Sequence, residues 1–261
     1  MSNSPTAHPR RVIPCLLMGK SGFVKTTKFE SPRYLGDAVN TVRIFNDKEA
    51  DEVMILDIIA ARERTPIRFD VILEIVSEAF MPVCYGGGIT AFDEIKKLLR
   101  LGVEKVALCT GALDRPGLIT EAANAFGNQS VVGVVEVVKK GFFGGQETSV
   151  QSAKRKTGLS PEEAARRMVE AGAGEIMINH VERDGVMGGY DIDLVTRICA
   201  AVNVPVIACG GCGSLDHIRE LFRATAVSAA AAGSLFVYHG PHRAVLINYP
   251  QSAQLRELTS R

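Results

Sequence analysis

Short apolar runs alternate with stretches of helical periodicity along almost the whole chain. The runs fall at residues 12–17, 52–57, 82–85, 105–109, 131–137, 175–180 and 205–209, with a last one ending at Gly233-Ser234. Runs this unbroken predict strands buried on both faces, which lose the in–out alternation of a half-exposed sheet. Between them, Phe69, Ile72, Leu73 and Val76 stand at i, i+3, i+4 and i+7, and Phe92, Ile95, Leu98 and Leu99 form a similar stripe. Each predicts a helix with one apolar face. A first helix is expected over 37–48, a fourth after Asp114 as N-cap, and a fifth after Ser160, whose partner Glu163 three residues on completes a capping box. Residues 19–36 and 139–157 break the rhythm. Both read as long loops, the first carrying Lys20, Lys25 and Lys28 and the second rich in Gly and Lys.

Two of the apolar runs stop at glycines in the same way. Pro82-Val83-Cys84-Tyr85-Gly86-Gly87-Gly88-Ile89 and Pro205-Val206-Ile207-Ala208-Cys209-Gly210-Gly211-Cys212-Gly213 lie 123 positions apart. The same offset places Ala50-Asp51-Glu52-Val53-Met54-Ile55 on Ala173-Gly174-Glu175-Ile176-Met177-Ile178, and residues 105–111 on 228–234. Each copy reads strand, helix, strand, glycine turn, helix, strand, small-residue turn. A repeat this long is half of a closed barrel rather than one unit of a solenoid. The fold expected is α/β: a single (β/α)₈ barrel over 11–261, matching the ~250 residues typical of that architecture.

Composition then narrows the partners. A formal charge of +1 over 261 residues gives no electrostatic footprint for nucleic acid or membrane. No apolar run approaches the ~18 residues of a membrane span. Residues 1–10 are polar and proline-containing, with no signal-peptide core, and read as a disordered lead. Cys15, Cys84, Cys109, Cys199, Cys209 and Cys212 lie mostly in apolar contexts, as reduced thiols in a cytoplasmic protein do. Cys209 and Cys212 have metal-binding spacing, but no second Cys/His pair lies near in sequence, so neither a metal nor a cofactor is expected.

Catalytic-face chemistry should come from strand ends and the loops after them. Asp57 ends the second strand, and Glu136 is the one acid in the fifth. The glycine turns offer two sets of backbone N–H groups for phosphate: Gly88 with Thr110 and Gly111, and Asp184 and Gly185 with Gly211, Gly233 and Ser234. Two such sets facing each other across a barrel mouth suit a bisphosphorylated small molecule. Plain glycine turns and a merely solvated basic loop remain alternative readings.

The half-barrel duplication, together with Arg11-Val12-Ile13-Pro14-Cys15-Leu16, Tyr85-Gly86-Gly87-Gly88-Ile89, Gly172-Ala173-Gly174-Glu175-Ile176 and Arg183-Asp184-Gly185, resembles the cyclase subunit of imidazole glycerol phosphate synthase. The resemblance covers nearly the whole chain after residue 10. It implies a barrel that takes ammonia from a glutaminase docked at its N-terminal face and passes it through the interior to a phosphorylated substrate. It also implies an entrance ring at Arg11, Glu52, Lys105 and Glu175, for which a purely structural ion-pair ring is the alternative. Lys25 and Asp57 match the family's site. Its two ring-closing aspartates, however, correspond to Leu17 and Glu136, and Cys109 stands where the cyclase has an amide beside a phosphate.

A sister group has leucine at the strand 1 position. Ile13-Pro14-Cys15-Leu16-Leu17, Phe23-Val24-Lys25-Thr26 and the stretch from His239-Gly240-Pro241-His242-Arg243 to Asn248-Tyr249-Pro250 resemble that group, the cyclase homologues associated with acetamidino modification of surface-polysaccharide sugars. That resemblance implies a glutaminase partner and a separate sugar amidotransferase, the latter expected at the C-terminal face against residues 20–28 and 239–243. Strand 5 in the group carries Asp, so Glu136 departs from it. An authentic histidine-pathway cyclase with Glu136 acting alone is the alternative, and a phosphosugar isomerase of the related half-barrel family is a third. Leu17 argues against both.

Overall fold

The computed structural model describes residues 10–141 and 144–260. The disordered lead expected at residues 1–10 falls, apart from Arg10, outside the described residues. Eight parallel strands close on themselves: β1 (Arg11–Met18), β2 (Val53–Asp57), β3 (Val83–Gly86), β4 (Lys105–Leu108), β5 (Val131–Lys139), β6 (Glu175–His180), β7 (Val206–Cys209) and β8 (Ala229–Ala232). Each pairs with its sequence neighbour, and β8 returns to β1 through Arg11↔Ala229 and Val12↔Ala230. Helices alternate with the strands outside, so the chain is a (β/α)₈ barrel, as the repeat requires.

Burial on both strand faces produces two cores. One lies between sheet and helices, with Phe45, Ile75, Leu98 and Phe222. The other fills the lumen with Ile13, Met54, Val134, Met177 and the small side chains Cys84 and Ala107. Strand pairing keeps lumen-facing residues level: Glu175 opposite Val132, Met177 opposite Val134, and Asn179 opposite Glu136.

The first and fifth helices start where expected, the fifth at the cap the sequence placed. Asp37 accepts from Asn40 N ahead of helix Ala38–Asp47, and Ser160 accepts from Glu163 N ahead of helix Pro161–Glu170. Asp114 does not cap the fourth helix. It ends a short helix, Thr110–Asp114, and helix Gly117–Phe126 begins after Pro116, which suits a first turn because it lacks an N–H. Leu73 also departs from its stripe: it is 46 % exposed, while Ile72 and Ile75 carry the buried face of helix Phe69–Glu78.

Among the described residues, both long loops contain regular strands. Residues 19–36 contain an antiparallel hairpin, Phe23–Thr27 with Glu30–Gly36, whose first strand pairs with the end of β1 through Leu17↔Val24 and Met18↔Phe23. Residues 139–157 contain Gln146–Val150, which pairs with the upper part of β5 through Glu136↔Ser149, and Arg155–Lys156. Both extensions continue a barrel strand past the C-terminal rim, where its ladder groups would otherwise be unpaired. The tail first forms a small ribbon, Tyr238–His239 with Ala244–Val245, before helix Ser252–Thr259.

Candidate functional site

At the N-terminal end of the lumen, four charged residues form a closed ring. Arg11 begins β1, Glu52 precedes β2, Lys105 begins β4 and Glu175 begins β6. Arg11 donates to Glu52 at 2.5 Å and to Glu175, and Lys105 Nζ lies 3.3 Å from Glu52 and 3.2 Å from Glu175. Each cation therefore touches both acids. Burial alone would lower the pKa of Arg11 and of Lys105, but Glu175 and Glu52 outweigh it and raise both. The ring is therefore a polar collar beneath an apolar lumen.

At the other end lies a cavity of about 620 Å³, within the range of small-molecule sites. Its floor includes Leu17, Leu56, Val134, Cys109, Glu136 and Asn179; its wall carries Asp57, Gly88, Thr110 and Gly111. Glu136 is the acid at the bottom of this cavity. Its Oε2 accepts from Ala153 N at 3.0 Å. Burial drives its pKa up to about 7, against the lowering effects of the Ala153 amide and the Cys109 thiol. A carboxyl that gains and loses its proton near neutrality can do acid–base work there. Opposite it, Leu17 offers neither a proton nor a lone pair.

Asp57 is committed structurally. One oxygen caps helix Ile58–Glu63 by accepting from Ile59 N and Ala60 N, and the other holds Arg68 at 3.1 Å. Gly87 must be glycine beside it: at φ +108 an added Cβ would sit 2.2 Å from the Asp57 carbonyl oxygen. In the first phosphate candidate set, Gly88 has φ +74 and lines the cavity with Thr110 and Gly111, while Thr110 Oγ1 accepts from Gln151 N.

The second candidate set does not face the first across an open mouth. Asp184, Gly185, Gly211, Gly233 and Ser234 are absent from the cavity lining. The hairpin closes over them: Lys28 N donates to Asp184 O, Gly185 packs under Thr26, and the Lys25 side chain lies over Gly233. Lys25 is therefore not a basic residue on a solvated loop. Only 5 % exposed, it places Nζ 2.6 Å from Asp184 Oδ1, and Thr26 Oγ1 donates to Oδ2 at 2.9 Å. Phe23, Val24, Lys25 and Thr26 are all buried, so this hairpin strand is covered on both faces and carries Lys25 into the interior. Ser234 Oγ is buried near this pair with no hydrogen-bond partner.

Sequence reasoning missed Arg68, which ties Asp57 to the carbonyls of Gly19 and Lys20, and Asn179, which stands beside Glu136. Asn179 had a legible signal. It is a lone amide in the apolar run of β6, at the same parity as Glu175 and Met177. Among the described residues no cluster of His, Cys, Asp or Glu has metal-binding geometry, and no helix is long and apolar enough to cross a membrane.

Comparison with known proteins places this architecture. Residues 11–242 match the family described as Histidine biosynthesis protein. A Pseudomonas aeruginosa protein, provisionally named imidazole glycerol phosphate synthase subunit hisF2, is 51% identical over 246 residues, covering 94% of this chain and 98% of that one. A Leptospira borgpetersenii protein with the same provisional naming, subunit HisF, is 42% identical over 248 residues, covering 95% and 98%. The imidazole glycerol phosphate synthase subunit HisF of Alkaliphilus metalliredigens is 40% identical over 230 residues, covering 88% and 91%. This chain belongs to the histidine biosynthesis protein family and is HisF-like.

Proposed function

We propose that this chain is the ammonia-conducting, cyclase-like subunit of a glutamine-dependent system that forms an acetamidino group on a sugar for surface polysaccharide. The observation that carries the reading is the contrast between the two ends of the lumen. The charged ring of Arg11, Glu52, Lys105 and Glu175 is complete, and the lumen above it is apolar. The cavity beyond pairs Glu136 with Leu17 where a cyclase is expected to hold two acids. Moving a charge through such a lumen costs several kcal/mol, so ammonia fits it and ammonium does not.

On this reading a glutaminase docks at the N-terminal face and supplies ammonia to the ring. The nitrogen leaves at the C-terminal face toward a sugar amidotransferase, which completes the amidation. The hairpin and tail give that face a joint surface: Arg33 donates to Arg243 O, Arg243 donates to Gly185 O, and Tyr34, Val186 and Leu246 are exposed around them. The test is ring closure. Given the cyclase substrate and excess ammonium salt, the purified chain should turn over little or none, since losing one member of an acid–base pair commonly costs about 10²–10⁴-fold. Turnover at the rate of an ordinary cyclase ends the proposal.

A histidine-pathway cyclase is the second reading. It is favoured by Glu136, whose pKa of about 7 suits proton transfer at neutral pH, and by the retained cavity set Gly88, Thr110 and Gly111. The same assay decides between them.

A further inference from the structure

At the upper end of the lumen, three adjacent strands carry polar side chains at one level. Glu136 on β5 stands in register with Asn179 on β6 and with Ser149 on the strand Gln146–Val150. Asn179 is only 6 % exposed, and its Oδ1 has no hydrogen-bond partner; Ser149 Oγ is fully buried and also unpartnered. Glu136 accepts from the Ala153 amide, and among the described residues it forms no ion pair with Lys or Arg. A buried carbonyl oxygen without a donor is uncommon, because it loses water and gains nothing in return. Beside it stands a carboxyl group with no counter-ion. Of the surrounding floor, the Cys109 thiol is a weak donor to Glu136, and Leu17, Leu56 and Val134 supply neither donor nor charge.

The place therefore asks for a small ligand that donates several hydrogen bonds and carries one positive charge. Its position at the junction of lumen and cavity selects the ligand further. We propose that Glu136 and Asn179 form a holding station for ammonium, in which ammonia arriving through the lumen takes the Glu136 proton and the resulting cation is held by the carboxylate and by Asn179 Oδ1. In this step the carboxyl O–H bond breaks and an N–H bond forms; nothing is oxidised or reduced. When the nitrogen moves on, the proton returns to Glu136 and neutral ammonia is released toward the C-terminal face, where the partner amidotransferase uses it. Leu17 becomes intelligible on this scheme: a second acid at that position would compete for the cation and pull it off Asn179.

The station rests on the conduit reading above, but its chemistry is measurable without partners. The groups facing Glu136 are Cys109 just after β4, Asn179 from β6, Ser149 and the Ala153 amide from the segment 146–156, and Leu17 from β1, of which Cys109 alone is titratable. Burial raises the pKa of Glu136 to about 7 and places its proton exchange in an accessible range.

The experiment is carbon-13 NMR of glutamate side-chain carboxyls in the full chain, titrated at equal ionic strength in sodium chloride, ammonium chloride and methylammonium chloride. The Glu136 signal is assigned by its loss in Glu136→Gln. In ammonium the midpoint should fall by about one unit, a roughly tenfold preference for the ionised form. Methylammonium should shift it less, and Asn179→Ala should remove most of the ammonium-specific shift. If Asn179→Ala does not fold, Asn179→Ser, which keeps a smaller polar group, serves in its place with the same expectation. Equal midpoints in sodium and ammonium overturn the station, as does a Glu136 ionised throughout the titration in every salt. Either result leaves the conduit reading to be judged by product coupling in the ring variants, so the two failures are distinguishable.

Discussion

Lys25 and Asp184, 159 positions apart in sequence, meet at 2.6 Å in the interior of the catalytic face. Their contact fastens the hairpin Phe23–Thr27 and Glu30–Gly36 to the turn after β6, over the second glycine set. A long substrate spanning both glycine sets would have to separate this pair first.

Both side chains are nearly excluded from solvent, so removing either one strands a charge. Asp184→Leu and Lys25→Met should each cost about 3–5 kcal/mol, while the two together should cost much less than the sum. Urea unfolding of the singles and the double checks this. Additive losses would mean that the two charges are not coupled.

Glu136 should give stability a pH dependence of known sign. Burial raises its folded-state pKa from the ordinary 4.5 to about 7, so the folded chain binds a proton that the unfolded chain releases in that window. The stability carried by this group is present below pH 4.5 and is lost as pH rises toward 7, about 3 kcal/mol in all. Glu136→Gln should therefore match the parent near pH 4.5 and exceed it at pH 8. Parallel stability profiles for the two proteins would refute the raised pKa.

The ring should matter to coupling more than to folding. With both partners present, Lys105→Gln or Glu175→Gln should raise the ratio of glutamate released to amidated product, because nitrogen is lost before the lumen. The folded state should persist, since the surrounding strands keep their apolar contacts on both faces. An unchanged ratio in both variants would reduce the ring to a structural role.

Lys20, Lys28, His242 and Arg243 lie on the hairpin and tail at the C-terminal face. On the proposed reading, reversing charge at Lys20 and Lys28, or replacing His242 and Arg243, should weaken binding of the proposed sugar amidotransferase and leave glutaminase binding intact, as rim charges govern encounter and orientation. Pull-down with each partner measures this directly. Equal binding of both partners to every variant would remove the hairpin and tail as docking surface.

The sequence by itself determined the barrel. Unbroken apolar runs such as 131–137 and 175–180 carry two-sided burial in their composition, and the 123-residue offset repeats that grammar in each half. Local chemistry also fixed the cap at Ser160, because a cap depends on residues three apart. Even the four charges of the ring stand at strand starts, where register alone brings them to one end. What only the tertiary structure decided was long-range. Phe23–Thr27 looked like a loop because its lysine and threonines hide the strand period, and its partner is the end of β1 rather than a neighbour in sequence. The Lys25–Asp184 pair, the closure of the second glycine set and the meeting of Glu136 with Asn179 all follow from such pairings. Composition lists the donors and acceptors a chain possesses; only closing the sheet determines which of them are left facing each other out of water.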